Sequence, residues 1–457
     1  MLYACMTNIS TLTDLEFRKW LGNRLVVDQP LEPDDPLYEP LYRDDPGDPI
    51  QLILNDIELS EVRSLNFISG FRGCGKTTEL FRLRSQLRQN GFFVAYANAI
   101  DYLLPSEPID ISDFFIVLAG SFSEAIEREL QLDPAKEGFW TRFVHWLQTT
   151  NVQLNGIEAK AAVPGTDIGL NFKTSLREVA SFRQRLRESM AARLGDLRRQ
   201  VHEFFEFGRK KILEQGPASK GVVFIFDQLE QLRDTLSTEG LVAESVATLI
   251  ANHRADLQIP LFHMVFTVPP WLKFKLAEMA KIRLLYNVKL WNNDDKRSPH
   301  NPGLKTMRRL VERRFTPDGM KRFFGKLRKD GSSPLADRLI EAAGGHFRDL
   351  LVLLRETLLR VRSLPISGKV LDAAIANLRS SFLPMPAADA EWLHEIAHKR
   401  DSLLKDRSPE SVRRMTFFLD THCALVLHNG AEWYDIHPII RDEVEEIVQR
   451  ETKPTSG

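Results

Sequence analysis

Short, nearly continuous apolar runs alternate with amphipathic stretches through the middle of this 457-residue chain. Ser64–Ser69, Val222–Asp227 and Leu261–Val268 are apolar at almost every position, as strands covered on both faces must be. With Phe92–Asn98 and the weaker Tyr286–Leu290 they predict five strands. Between them, helical spacing of apolar residues predicts helices over Thr77–Gln89, Ile111–Leu130, Gly240–Ala255 and Leu272–Met279. Such alternation predicts an α/β fold with a largely parallel sheet.

The alternation is interrupted at about 145–215. Val152–Leu154 and Ile168–Phe172 read as a hairpin across Pro164–Gly165. Leu176, Val179, Leu186, Met190, Leu197, Val201 and Phe204 then recur at intervals of three, four or seven. That spacing predicts one long helix with a single apolar stripe, packed on its own domain or against another protein as a coiled coil. The pattern is helical again from 304 to 363. Beyond it, helices near 367–380, 388–400 and 408–420 precede Leu425–His428 and Trp433–Ile436, which flank an Asn429–Gly430 turn. Pro438 then opens a last helix. Three helices followed by a two-stranded wing predict a winged-helix-like unit.

The expected organisation is an N-terminal lead-in (1–49), a core (50–300) carrying the insertion, a helical lid (301–365) and the winged-helix-like unit (366–457). The lead-in holds a helix around Leu12–Leu21 and then a stretch dense in Pro and Asp, QPLEPDDPLYEPLYRDDPGDP. Its prolines exclude helix and central strand, and it reads as a segment wrapping the core.

Charge changes the picture little. With 61 basic against 62 acidic residues, a nucleic-acid partner would need a local basic face. The candidate is Lys399, Arg400, Lys405, Arg407, Arg413 and Arg414, interleaved with Asp401, Asp406, Glu410 and Asp420. Cys5, Cys74 and Cys423 show no paired spacing, which excludes a disulfide framework and a cysteine-based zinc site. His422, His428 and His437 have no zinc spacing and read as packing residues. No apolar run approaches the ~20 residues of a membrane span. A cytoplasmic protein is expected, with no membrane contact.

The candidate chemistry begins at Gly70-Phe71-Arg72-Gly73-Cys74-Gly75-Lys76-Thr77, which matches G-x-x-x-x-G-K-[ST] between a predicted strand and a predicted helix. Glycines let backbone N–H groups close on phosphate oxygens. The following helix, opening through Thr78, adds its positive end. Lys76 supplies a point charge for the β and γ phosphates, and Thr77 a hydroxyl for Mg²⁺. Gly70, Arg72, Gly73, Cys74, Gly75, Lys76, Thr77 and Thr78 are thus the expected nucleotide-binding residues, with ATP and Mg²⁺ as cofactors.

Asp227 ends the apolar run Val222–Phe226 at the edge of the sheet where ligands bind, and is the expected Mg²⁺ partner. Glu230 is the candidate water activator, or else a charge answering a helix dipole. Thr267, near the end of the next strand, is a candidate γ-phosphate sensor, although threonine is also an ordinary strand residue. In Ala343-Gly344-Gly345-His346-Phe347-Arg348-Asp349-Leu350-Leu351 an arginine sits at a helix N-terminus, where the dipole disfavours it. Arg348 is therefore a candidate phosphate sensor.

These four elements in this order resemble the AAA+ and STAND ATPases, particularly their replication-initiator (origin-recognition) branch. Residues 71–80, FRGCGKTTEL, are also similar to the "FRGxGKSTEL" loop of bacterial ATP-binding proteins. Some proteins of that kind belong to conflict and phage-defence systems. The resemblance implies an ATP-dependent switch that self-assembles or acts with protein partners, and an arginine finger for which Arg283, Arg313 and Arg314 are candidates. Where many such ATPases carry a glutamate directly after the strand aspartate, this chain has Gln228, which implies slow hydrolysis. The leading expectation is a regulatory ATPase of low turnover. A DNA-binding initiator or transposition-type ATPase using the winged helix is the alternative, and a small-molecule kinase fits least, since no acceptor-site signature is visible.

Overall fold

The computed structural model describes residues 9–42, 47–131, 139–149, 168–216, 220–235, 238, 240–276, 281–402 and 408–452. The apolar runs form β1 (Ser64–Gly70), β2 (Phe92–Asn98), β3 (Gly221–Asp227), β4 (Phe262–Val268) and β5 (Ile282–Leu285). They lie in one sheet of order β2-β3-β4-β1-β5. β2 pairs with β3, β3 with β4 and β4 with β1, each in parallel register. β3 and β4 are buried along nearly their whole length, which is why their sequences do not alternate. The fold is α/β with a mostly parallel sheet, as the sequence predicts.

One strand differs. β5 is Ile282–Leu285, and Tyr286–Leu290 is not a strand. The amides there have other partners: Asn287 N donates to Val426 O at 3.3 Å and Val288 N to Gly345 O at 3.1 Å. Amides committed to those carbonyls cannot extend a ladder.

The chain divides into two compact units. One comprises Pro49–Ser69 and Arg82–Leu284; the other comprises Met1–Asp48, Gly70–Phe81 and Leu285–Gly457. The first holds the sheet. Its core is aromatic: Phe122 stacks on Phe205 at 4.4 Å between ring centroids, and both meet the edge of Phe262. Phe139, Trp140 and Phe143 are buried in the same core.

The insertion corrects two expectations. Ile168–Phe172 opens a helix, Ile168–Glu178, and is not a strand; Val152–Leu154 lie outside the described residues. Five residues are too few for periodicity to separate the two. The predicted long helix is three: Ile168–Glu178, Ala180–Ala191 and Leu194–Glu214. The first break falls at Val179, extended and exposed. Leu176, Leu186, Met190, Leu197, Val201 and Phe204 are nevertheless all buried in the unit's own core. The spacing carries across the breaks because the three helices pack on one core.

In the second unit, helices Asp14–Arg24, Asn301–Phe324, Pro334–Ala342, Phe347–Arg360 and Gly368–Ser380 share a core around Phe17, Met307, Phe323, Leu339, Leu350 and Leu371. Thr13 and Glu16 form a capping box at the first of them. Helices Ala387–Lys399 and Pro409–Asp420 follow, then the antiparallel hairpin β6 (Ala424–Asn429) and β7 (Ala431–Ile436) and helix Arg441–Thr452. The fully buried Asp435 accepts from Trp291 Nε1 (3.1 Å), Arg297 Nε (3.0 Å) and an Arg441 guanidinium nitrogen (3.2 Å), which fixes the hairpin. Among the described residues no helix is long and apolar enough to cross a membrane.

Gly120 tests the aromatic core. A methyl there would meet the Trp140 ring at 2.0 Å. Ala normally stabilises a helix interior over Gly by about 1 kcal/mol. Here overpacking should reverse the sign, and Gly120→Ala should lower stability by about 1–3 kcal/mol in denaturant titration. A stabilised variant would contradict this packing.

Candidate functional site

β1 runs at Gly70 into a turn that ends where helix Lys76–Gln89 starts. The loop is tight. A methyl on Gly70 would sit 2.8 Å from Cys74 Sγ and 3.0 Å from Leu285 Cβ. Gly73 and Gly75 have φ of +85° and +91°, the region where L side chains are strained. Cys74 is buried, and its N–H donates to Phe71 O at 3.2 Å. Lys76 is 6% exposed, and its ammonium donates to Gly70 O at 2.8 Å and Phe71 O at 3.3 Å. Thr77 lies in the first helical turn, at the positive end of the dipole.

The first turn of helix Phe347–Arg360, in the same unit, closes on this loop. Arg348 N donates to Gly73 O at 3.2 Å, and His346 Nε2 lies 3.0 Å from Arg72 O. The Arg348 stem packs so close that a methyl on Gly73 would meet its Cβ at 2.5 Å. The Arg348 guanidinium pairs with Asp28, whose side chain is 75% exposed. The loop and Arg348 are thus brought together. Asp28 of the lead-in is the anion that answers the arginine's misfit with its helix dipole.

The lead-in also reaches the helix after the loop. Leu31 N donates to Thr78 Oγ1 at 3.2 Å, and Tyr38 hydroxyl to Glu79 at 3.3 Å. A cavity of about 1230 Å³ lies there, lined by Leu31, Tyr38, Gly75, Thr78, Arg314 and Phe347 among others. Sequence patterning shows neither these contacts of the lead-in nor the cavity beside them.

Asp227, Glu230 and Thr267 belong to the other unit, at the C-terminal edge of its sheet. β1 ends at that edge too, since Ser69 pairs with Val268. β1 has β4 on one side and β5 on the other, so the strand order reverses there, where open α/β sheets bind ligands. Asp227 is fully buried and accepts from Tyr96 hydroxyl at 2.6 Å and from Gln228 N at 2.7 Å. Burial, and then the Asp227 and Glu230 charges, hold the Tyr96 phenol well above its ordinary pKa, so it stays a donor. Thr267 Oγ1 accepts from Leu229 N at 3.1 Å, which leaves its hydroxyl proton to be donated. Gln228 is left-handed (φ 67°) and turns the chain into the short helix Leu229–Gln231, which carries Glu230. Sequence reasoning missed Tyr96 and His346. Tyr96 reads as one more apolar strand position, and His346 as a spacer before Arg348.

The remaining candidates are committed to structure. Arg314 is buried, its pKa lowered to about 10 by burial, and it donates to Leu37 O and Leu310 O. Arg313 pairs with Glu39, and Arg283 with Asp56. Of the basic stretch, Lys399 pairs with Glu395, Arg400 with Asn293 and the Asp294 carbonyl, and Arg414 with Asp389. Lys405 and Arg407 lie outside the described residues.

No protein-family model matches the chain, and no curated protein matches it. Solved structures similar to it include the ORC2 protein of Aeropyrum pernix in ADPNP–ADP complexes (12% identity, 94% of this chain and 98% of that chain, TM-score 0.38). Its ADP form is similar too (12%, 95% and 98%, 0.41), as is the Walker-type ATPase PABY2304 of Pyrococcus abyssi (11%, 93% and 99%, 0.37). At these scores the likeness assigns no role to any residue.

Two alanine substitutions test the loop. Gly73→Ala and Gly75→Ala both force a side chain into positive φ, at about 1–2 kcal/mol. Gly73→Ala also collides with Arg348, whereas a methyl on Gly75 meets nothing within 4 Å. Gly73→Ala should therefore lower the unfolding midpoint clearly more than Gly75→Ala. Equal shifts would contradict the contact.

Proposed function

We propose that the chain is an ATP-binding switch ATPase of AAA+/STAND type, hydrolysing slowly and controlling assembly with itself or with protein partners. The observation that carries it is the loop 70–77, with positive-φ glycines, a buried lysine and a lid helix bonded to two of its carbonyls. The residues fit a Mg²⁺–nucleoside triphosphate. Loop amides and the helix N-terminus would hold the phosphates, with Gly70, Arg72, Gly73, Cys74, Gly75 and Thr78 shaping the cradle. Lys76 would exchange its two loop carbonyls for charged oxygens, which accept more strongly. Thr77 would bind the magnesium, and Asp227 is proposed as its partner from the sequence motif alone. The cavity beside Thr78 would take the base and ribose.

Bound Mg²⁺–ATP supplies the phosphoanhydride to be cleaved and the cation that spreads its charge. The chain's own contribution is positioning. Tyr96 and Gln228 N hold the Asp227 carboxylate in one orientation. Thr267 has a hydroxyl proton to give a phosphate oxygen, and Arg348 would leave Asp28 for the γ-phosphate. Glu230 would activate water from a short helix instead of the position after Asp227, where Gln228 stands; that is the reason for slow turnover. A change of partner by Arg348 would move the lid's first turn, which is how a switch reads its nucleotide. Assembly with partners, and any place in a defence or conflict system, are proposed from the sequence resemblance.

Lys76→Ala should weaken ATP binding by about 30–100-fold, the equivalent of about 2–3 kcal/mol for bonds to a charged group, in calorimetry with Mg²⁺. Unchanged affinity would reject the loop as the site. Wild-type turnover should be well below about one per second, the low end of ordinary enzymes, and Glu230→Gln should reduce it further. Sizing with and without Mg²⁺–ATP should show an assembly in wild type that Lys76→Ala lacks. A size indifferent to nucleotide would reject the switch.

A further inference from the structure

The unit that carries the loop holds a second cluster that the proposed nucleotide chemistry does not use. His346 and His437 are fully buried, and the Asp349 side chain is 9% exposed. Around Asp349 Oδ2 lie His346 Nδ1 at 2.8 Å, His437 Nε2 at 3.3 Å and His422 Nδ1 at 3.6 Å. The rings of His346 and His422 are 4.0 Å apart between centroids.

Proton placement makes this cluster unusual. His346 Nε2 faces the Arg72 carbonyl, so it carries the ring proton. Nδ1 faces Asp349 N at 3.4 Å and Asp349 Oδ2 at 2.8 Å in a buried site. So close an approach of ring nitrogen and carboxylate oxygen needs positive charge against both, supplied by a proton on Nδ1 or by a metal ion. Among the described residues, Asp349 Oδ2, His437 Nε2 and His422 Nε2 are buried with no hydrogen bond in acceptable geometry. A cavity of about 410 Å³ lined by Asp349, His422, Phe382 and Thr421 gives an ion a route in.

We propose that His346, Asp349 and His422 bind one divalent first-row transition cation of the zinc class. Two imidazoles and one carboxylate suit zinc, cobalt or iron, whereas magnesium and calcium prefer all-oxygen sets. One donor atom from each lies within 4.8 Å of the others, so side-chain rotation brings them to metal bonds of ~2.0–2.2 Å. His437 accepts from Ile439 N at Nδ1, so its proton sits on Nε2, 3.3 Å from the carboxylate that it would support once the ion is bound. The ion would join the turn before β6 to the helix turn whose His346 and Arg348 bond the loop carbonyls. It would therefore stiffen the lid independently of nucleotide.

The test is cobalt(II) and zinc uptake by the full chain, followed by visible absorption and metal analysis. Wild type should bind one equivalent with a low-coordinate cobalt spectrum, retained in excess magnesium. His422→Gln and Asp349→Asn should abolish the spectrum, and His437→Gln should weaken binding by about 10–100-fold. His428→Gln, on the same hairpin but outside the cluster, and Lys76→Ala should both keep it. The Lys76→Ala arm separates this site from the nucleotide loop. A wild type that takes up no cobalt overturns the proposal whatever the variants do. Cobalt that survives both His422→Gln and Asp349→Asn, or that is lost in Lys76→Ala, overturns it equally.

Discussion

The constraint on which the rest depends is a six-residue turn that must curl its backbone inward between a buried strand and a helix. Gly70 tolerates no Cβ against Cys74 and Leu285, and Gly73 none against Arg348. Such a turn aims its amides at one point while its carbonyls need partners elsewhere. The partners are Lys76 for Gly70 and Phe71, the His346 ring for Arg72 and the Arg348 amide for Gly73. Loop and lid are therefore one hydrogen-bonded object. A ligand that withdraws Lys76 or Arg348 from its present partners changes what holds the lid's first turn.

The sheet edge shows a complementary economy. Asp227 is fully buried, yet each oxygen has a donor, which holds the carboxylate in one orientation. Gln228 takes a left-handed conformation directly after it and diverts the chain into a 3-10 turn. The acid that follows is displaced by that turn. Under the roles proposed for Asp227 and Glu230, an oriented magnesium partner with a displaced base fits tight binding and slow cleavage better than rapid turnover, which is the physical basis for proposing a switch.

Much of the framework was legible in the residues. β2 and the helix Ile111–Leu130 fall where periodicity places them, because continuous burial leaves an unambiguous pattern. The helix Pro49–Leu59 has Ile50, Ile53, Leu54 and Ile57 at helical spacing, but it follows directly on the proline-rich stretch, which masks its start. Tyr286–Leu290 shows the converse failure: it reads as a strand, but the Asn287 and Val288 amides bond the hairpin and Gly345 instead of the sheet. Every residue of the insertion's stripe except Val179 is buried, yet Phe182, Phe205 and Ile212 outside it are buried too, and the stripe gave the wrong number of helices. Burial sets spacing, and chain breaks leave little trace in it. The histidine cluster was illegible for a simpler reason, since His346 and Asp349 stand more than seventy residues from His422.

The most direct measurement is a crystal structure of the full chain with Mg²⁺ and a non-hydrolysable ATP analogue. The account predicts triphosphate density along the amides of residues 72–77, the Lys76 ammonium moved from the Gly70 carbonyl onto phosphate, and Asp227 bound to the magnesium directly or through water. Nucleotide bound elsewhere, or Lys76 still on the loop carbonyls with Asp227 remote from the metal, would contradict it.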